Sequence, residues 1–284
     1  MRVVVAGDVH GNDAHLRMLL DVCVVEGAPF LVVCGDFGFW PHVDWGRDFI
    51  EVAQLEAHSR DVCVIWIDGN HDNHDVLESM LQPYREMECG PGFNGLVPVG
   101  DVGSLMWCPR GWTFELDELT CMGFGGGISV DREHRREGES WWSGEAITRE
   151  QVDGVRAVIA PAGVPYTRAG FIDVVFSHEA PLANGMFAPV KGGVDDLSYK
   201  DVIAESLDQR RLISELVDVV KPERVFCGHH HVRRTFTRRY EGGAELVFPE
   251  CRVDVLGHDH SGADSYTILE CGGEGSAVPA LVGV

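Results

Sequence analysis

At 284 residues the chain is long enough for about two average domains of ~150 residues, yet α/β units of this size fold as one, so a single domain over 1–284 is expected. With 45% hydrophobic and 24% charged residues, its composition excludes the disordered and fibrous classes. The net charge of −22, from 45 acidic and 23 basic residues, argues against unspecific binding to phosphate backbones or anionic membranes. No stretch approaches the ~18 apolar residues of a membrane helix, and the first apolar run, Val3 to Ala6, is too short for a signal-peptide core. A cytoplasmic location is the expectation. Nine cysteines without a C-x-x-C pair fit reduced core residues.

The first elements repeat one unit. Val3 to Ala6 reads as a strand, followed by Gly7-Asp-Val-His-Gly and a helix from Asp13 to about Glu26 with Leu16, Leu19, Leu20 and Cys23 on one face. Phe30 to Cys34, Gly35-Asp-Phe-Gly and a helix over Trp45 to His58 repeat it. Val62 to Ile67, Asp68-Gly-Asn-His-Asp and Asn73 to Leu81 do so again. Continuous apolar strands alternating with helices indicate a parallel sheet covered on both faces. From about 83 to 144 glycine and proline become frequent, and hairpins and loops are expected around short strands at Gly103 to Trp107 and Leu119 to Phe124. A helix over Thr148 to Ile159, a strand over Asp173 to Phe176 and a helix over Tyr199 to Val220, stopped by Lys221-Pro222, come next. Strands at Arg224 to Cys227, Thr235 to Tyr240, Ala244 to Phe248 and Ser265 to Leu269 complete the pattern, with Glu241-Gly-Gly as a hairpin turn. Two mixed sheets in one domain account for this order most simply.

Four strand ends share a glycine followed by a metal-capable side chain: Gly7-Asp8, Gly35-Asp36, Gly69-Asn70 and Gly228-His229. Ser177-His178 lacks only the glycine. In parallel α/β sheets ligands gather beyond the carboxyl ends of strands, where a glycine lets the backbone turn sharply and the next side chain enter a shared cleft. Asp8, His10, Asp36, Asn70, His178, His229 and His231 offer oxygen and imidazole donors without thiolate, a set suited to Mn²⁺, Fe²⁺ or Zn²⁺. Seven donors exceed one tetrahedral ion. With one bridging carboxylate they divide into the two sets of four that a pair of ions about 3.5–4 Å apart requires. Two divalent ions, two carboxylates and a bridging hydroxide leave about one positive charge to meet a phosphoryl group.

These motifs, in this order over residues 7 to 231, resemble those of the calcineurin-like metallophosphoesterase superfamily, and the Gly-Gly-x-x-Ser-x-Asp-Arg stretch at 125–132 with the paired Trp141 and Trp142 resembles a prokaryotic and phage-like subgroup of it. The resemblance implies a four-layer α/β-β/α sandwich of two mixed sheets and a dinuclear metal-dependent phosphoric ester hydrolase acting by metal-bound hydroxide. By motif, Asp8, His10 and His231 would hold the first ion, most readily Mn²⁺, and Asp36 would bridge. Asn70, His178 and His229 would hold the second, and His71 would protonate the leaving oxygen as general acid. Phe39 stands where many relatives carry a second aspartate able to orient that histidine, so either another group orients His71 here or its role as acid is weaker. The expected substrate is a phosphorylated small molecule or nucleotide, with a phosphodiester favoured. The alternatives are a single-strand nuclease and a non-catalytic scaffold of the same fold.

Other features carry less. Asp8, Asp36 and Asn70 could each be helix caps if taken singly, an alternative the histidines in register disfavour. Arg132 and Arg135, after the glycine triplet 125–127, are candidate substrate contacts. Trp141 and Trp142 fit core packing better than base stacking. Gly257-His258-Asp-His260 repeats the Gly-His-x-His pattern, but it follows an alternating segment and precedes a polar turn, which makes it a loop; His230 has no assigned role. Arg233, Arg234, Arg238 and Arg239 fit a wet sheet edge.

Overall fold

The computed structural model describes residues 1–159, 172–183, 197–241 and 249–272. Twelve strands among them form two six-stranded sheets. In the first, β1 (Arg2–Ala6), β2 (Phe30–Val33), β3 (Cys63–Trp66) and β5 (Leu105–Trp107) run parallel. The short β4 (Val97–Pro98) and the late β12 (Tyr266–Glu270) close its two edges in the antiparallel sense. In the second, β7 (Leu119–Phe124), β8 (Val174–Ser177), β9 (Arg224–Cys227) and β11 (Glu250–Val255) run parallel, between antiparallel β6 (Thr113–Leu116) and β10 (Arg234–Arg239).

Strand alternation sorts the second sheet's side chains into two cores. Val174, Phe176 and Phe226 belong to the core shared with the first sheet, where Phe176 stacks on Phe114 and Phe226. Val175, Val225 and Cys227 face the other way, onto Val152 and Val155 of α4 (Arg149–Ile159) and Ile213, Leu216 and Val217 of α5 (Leu197–Val220). The helices α1 (Asp13–Glu26), α2 (Asp44–Ser59) and α3 (His74–Glu86) complete the first sheet's units, with Leu16, Leu19, Leu20 and Cys23 of α1 buried as their spacing predicts. The result is the expected four-layer sandwich.

Four details depart from or refine the sequence reading. Helix α3 continues through Pro83 to Glu86, beyond the predicted end at Leu81, although Pro83 has no N–H to donate to the preceding turn. The caps of α1 and α3 are Asn12 and Asn73, whose side chains accept from the N–H groups of His15 and Val76, so Asp8 and Asn70 are not their cap residues. The antiparallel partner of β10 is β11, running from Arg234 opposite Val255 to Arg239 opposite Glu250. The expected strand at 244–248 and the glycines of the turn at 242–243 lie outside the described residues. All nine cysteines are free, seven of them buried. Among the described strands, β10 with its arginines is the outermost of its sheet. No helix among the described residues is long and apolar enough to cross a membrane.

Candidate metal centre

The glycines at the strand ends act mainly by close approach. Only Gly35 has a positive φ, at 94°; Gly7, Gly69 and Gly228 do not. A Cβ on Gly69 would sit 2.1 Å from Asp36 Oδ1, one on Gly228 2.1 Å from Asp8 Oδ1, and one on Gly35 2.2 Å from His178 Nδ1. Each glycine therefore leaves room for a candidate ligand from another loop, and the loops interlock. Of the four, Gly35 alone also takes the left-handed backbone conformation.

Asp8, Asp36, Asn70 and His178 are almost wholly buried, while His10, His71 and His231 reach the surface. Asp36 Oδ2 lies 3.4 Å from His10 Nε2, 3.5 Å from His178 Nε2 and 3.9 Å from His71 Nε2. His231 Nε2 is 3.0 Å from Asp8 Oδ2, and Asn70 Oδ1 is 2.9 Å from His178 Nε2. Around an ion about 2.1 Å from its donors, neighbouring donors stand about 3.0 Å apart in an octahedral and about 3.4 Å in a tetrahedral arrangement. The site has that spacing. Among the described residues, three groups have donor atoms within 4.8 Å of one another: Asp8, His10 and His231; His10, Asp36 and His71; and Asp8, Asp36 and His178. His229 joins none of them. Its ring lies 4.8 Å from that of His178, and its Nε2 is 3.6 Å from Glu179.

The electrostatics suit a cation. Burial pushes the Asp36 carboxyl up, but His178, His71 and His10 outweigh it and hold the group well below the usual carboxylate range. Burial likewise pulls His178 and His10 down, and the buried carboxylates reverse this, raising them to about 10 and about 9. Protons thus occupy imidazoles in a field that a metal ion would equally relieve. Burial brings His229 to about 4 despite Glu179 beside it. Asp8 Oδ2 is buried without a well-aligned hydrogen bond, as expected of an oxygen reserved for a metal.

Supporting contacts come from residues the sequence reading did not single out. His178 Nδ1 is 2.8 Å from the Cys34 carbonyl, which leaves Nε2 facing the carboxylates. Ser129 donates its hydroxyl hydrogen to Glu145 at 2.6 Å and accepts from Asn70 Nδ2 at 2.9 Å, so the amide must present Oδ1 to the site. Buried Asp72 accepts from the N–H groups of Gly38, Phe39 and Gly69, tying two of the loops together. Glu179 is fully buried with Oε1 2.6 Å from His230 Nε2. No local periodicity marks these residues; only Asp72 and Glu179 had a hint, each standing beside a motif histidine.

The profile of the calcineurin-like phosphoesterase family matches residues 1–233. The chain belongs to that family. Among solved structures, a dimetal phosphatase from Danio rerio is 12% identical with a TM-score of 0.50, covering 91% of this chain and 88% of its own. The Thermus thermophilus protein TT1561 is 11% identical with a TM-score of 0.49, covering 91% and 89%. No curated protein matches.

In this member of the calcineurin-like phosphoesterase family, Phe39 is buried against Trp66. His71 is held from another side. Arg135 Nη1 lies 2.7 Å from His71 Nδ1, and Asp131 grips the same guanidinium through Nε and Nη2. A guanidinium only donates, so Nδ1 accepts at this short contact; Nη2 also lies 3.4 Å from Nε2, the ring nitrogen that faces Asp36. Burial and Arg135 together lower the His71 pKa although Asp36 opposes them. Arg132, the other candidate substrate contact, pairs with Glu205 at 2.7 Å on the wall of a cavity of about 370 Å³ that also includes Ile128, Trp141 and Glu145. Trp142 is buried as expected, and Trp141 is half-buried at the cavity. His258 and His260 lie in a loop, as read, but that loop borders the centre: the His258 and His231 rings are 4.3 Å apart.

Proposed function

We propose that this chain is a dinuclear metal-dependent phosphoesterase hydrolysing a phosphodiester of a nucleotide or small molecule. The observation carrying this reading is that one oxygen of Asp36 stands at ligand spacing from His10 and from His178, which reach it from different sheets. Asp8, His10 and His231 would hold one ion, Asn70, His178 and His229 the other, with Asp36 shared. The mixed oxygen and imidazole donors fit Mn²⁺, with Fe²⁺ or Zn²⁺ as alternatives. When bound, two such ions would supply positive charge for a phosphoryl group and lower the pKa of the attacking water.

The chain's own residues contribute orientation and charge. Cys34 and the Ser129–Glu145 pair aim His178 and Asn70 at the centre, and Arg135 fixes His71 with its Nε2 hydrogen available to the leaving oxygen. With Nδ1 accepting from Arg135, His71 would act through Nε2 as a hydrogen-bond donor, with full proton transfer dependent on what substrate does to Arg135. The net charge of −22 supports a small substrate over a nucleic acid.

The test is metal analysis of the purified full chain, then turnover of mono-, di- and cyclic phosphates with Mn²⁺. Two bound ions and metal-stimulated cleavage, fastest with a diester, are expected. Absence of both binding and cleavage would reject the enzyme reading in favour of a scaffold. Cleavage confined to single-stranded nucleic acid, falling steeply with salt, would replace the small substrate by a nuclease substrate.

A further inference from the structure

After β11 the chain crosses from the second sheet to the first, and this crossing is pressed onto the carboxyl end of β1. Gly7 N–H donates to the Ser265 carbonyl at 2.9 Å, and a Cβ on Gly7 would meet the Gly257 carbonyl oxygen at 2.0 Å. The loop is closed on itself by Gly257 N–H to the Asp264 carbonyl, Ser261 N–H to the His258 carbonyl and His258 N–H to Ser261 Oγ. It lies outside the segment 1–233 that matches the family.

From this crossing Asp259 is directed inward, its side chain only 8% exposed. Its Oδ2 accepts from Asn12 Nδ2 at 2.8 Å, and its Oδ1 lies 3.0 Å from His258 Nδ1. The same Oδ1 is 3.5 Å from His10 Nδ1, a charge contact, while His10 Nε2 faces Asp36. An imidazole ligates through an unprotonated nitrogen, so its other nitrogen carries the hydrogen and is best served by an acceptor. His178 has the Cys34 carbonyl in that place. For His10 the acceptor at hand is Asp259.

We propose that Asp259, anchored by Asn12 and His258, is a positioning residue that holds His10 with Nε2 free to ligate, making the 257–260 loop the outer support of one ion position. The inference rests on the dinuclear reading above. It also accounts for His258, whose ring both touches Asp259 and lies against His231, the other histidine of that position.

The test is equilibrium dialysis of the full chain against graded free Mn²⁺, counting ions per chain for the unsubstituted protein, Asp259→Asn and Asn12→Ser. Asp259→Asn keeps the side chain's size and removes its charge. Asn12→Ser retains an acceptor for the α1 cap but lacks the amide donor to Asp259. Two ions are expected to bind the unsubstituted chain. Asp259→Asn is expected to weaken one of the two by about 10–100-fold and leave the other unchanged, and Asn12→Ser to weaken the same step by about threefold. Melting of the metal-stripped proteins separates this from a folding defect, since misfolding would lower both steps together. Unchanged affinities in a folded Asp259→Asn, or equal loss at both ions, would overturn the proposal. Should the unsubstituted chain bind no Mn²⁺, the dinuclear reading itself fails, a result distinct from either.

Discussion

Replacing Gly69 by alanine tests whether the strand-end glycines serve the site by close approach. The new Cβ would fall 2.1 Å from Asp36 Oδ1 and 2.2 Å from the Asp36 backbone nitrogen. Ordinary contact begins near 3.4 Å, so the two loops must separate by about 1.3 Å, and the backbone contact cannot be relieved by turning a side chain. Overpacking of this kind costs about 1–3 kcal/mol. The larger consequence is at Asp36, whose Oδ2 stands 3.4 and 3.5 Å from the two imidazoles; a shift of about 1 Å there costs on the order of 100-fold in rate. Gly27→Ala is the control. Gly27 has φ 62° at the end of α1 with nothing within 4 Å of its added Cβ, so it should lose about 1 kcal/mol of stability and leave metal uptake intact. The assay pairs thermal melting with Mn²⁺ uptake and phosphodiester turnover. If Gly69→Ala kept both uptake and turnover within twofold of the unsubstituted chain, the interlocking argument would be wrong.

Arg135→Ala should lower turnover by about 10–100-fold while leaving two ions bound, because it releases His71 without touching the carboxylates; kinetics alongside metal counting decide this. Ser129→Ala strands Asn70 Nδ2 and the buried Glu145 oxygen, and urea denaturation should report a loss of about 1–3 kcal/mol. His74 is buried and desolvated, with Arg110 adding to the effect, so its pKa falls from 6.5 to about 4. The unfolded chain therefore binds the extra proton, and the stability this histidine contributes is complete above pH 6.5 and lost toward pH 4. Between pH 7 and pH 4 the metal-free protein should lose about 3 kcal/mol more than His74→Gln; parallel pH curves for the two would contradict the assignment. Chelation should abolish cleavage and lower the melting temperature, since an ion at 100 times its dissociation constant stabilises by about 2.7 kcal/mol. An unaltered melting curve would count against bound metal.

Sequence patterns alone sufficed for the repeated strand-loop-helix units and for the side chains at their ends. Both are local facts: apolar runs and helical spacing reveal which residues a single element buries, and a side chain just past a parallel strand belongs to the common cleft wherever the strand sits. Thus Asp8, Asp36, Asn70 and His178 were readable as neighbours although up to 170 positions separate them. What only the tertiary structure decided are contacts set by how separate loops pack. Examples are Asp36 over Gly69, Arg135 on His71 where Phe39 offers no carboxylate, and Ser129 turning the Asn70 amide. Gly257-His-Asp-His is the clearest case. Its residues read as a loop and are one, but its place beside His10 follows from β11 and β12 lying in different sheets, so that the chain must cross the mouth between them. No periodicity within those four residues encodes that crossing, because strand order is settled by the burial of whole sheet faces.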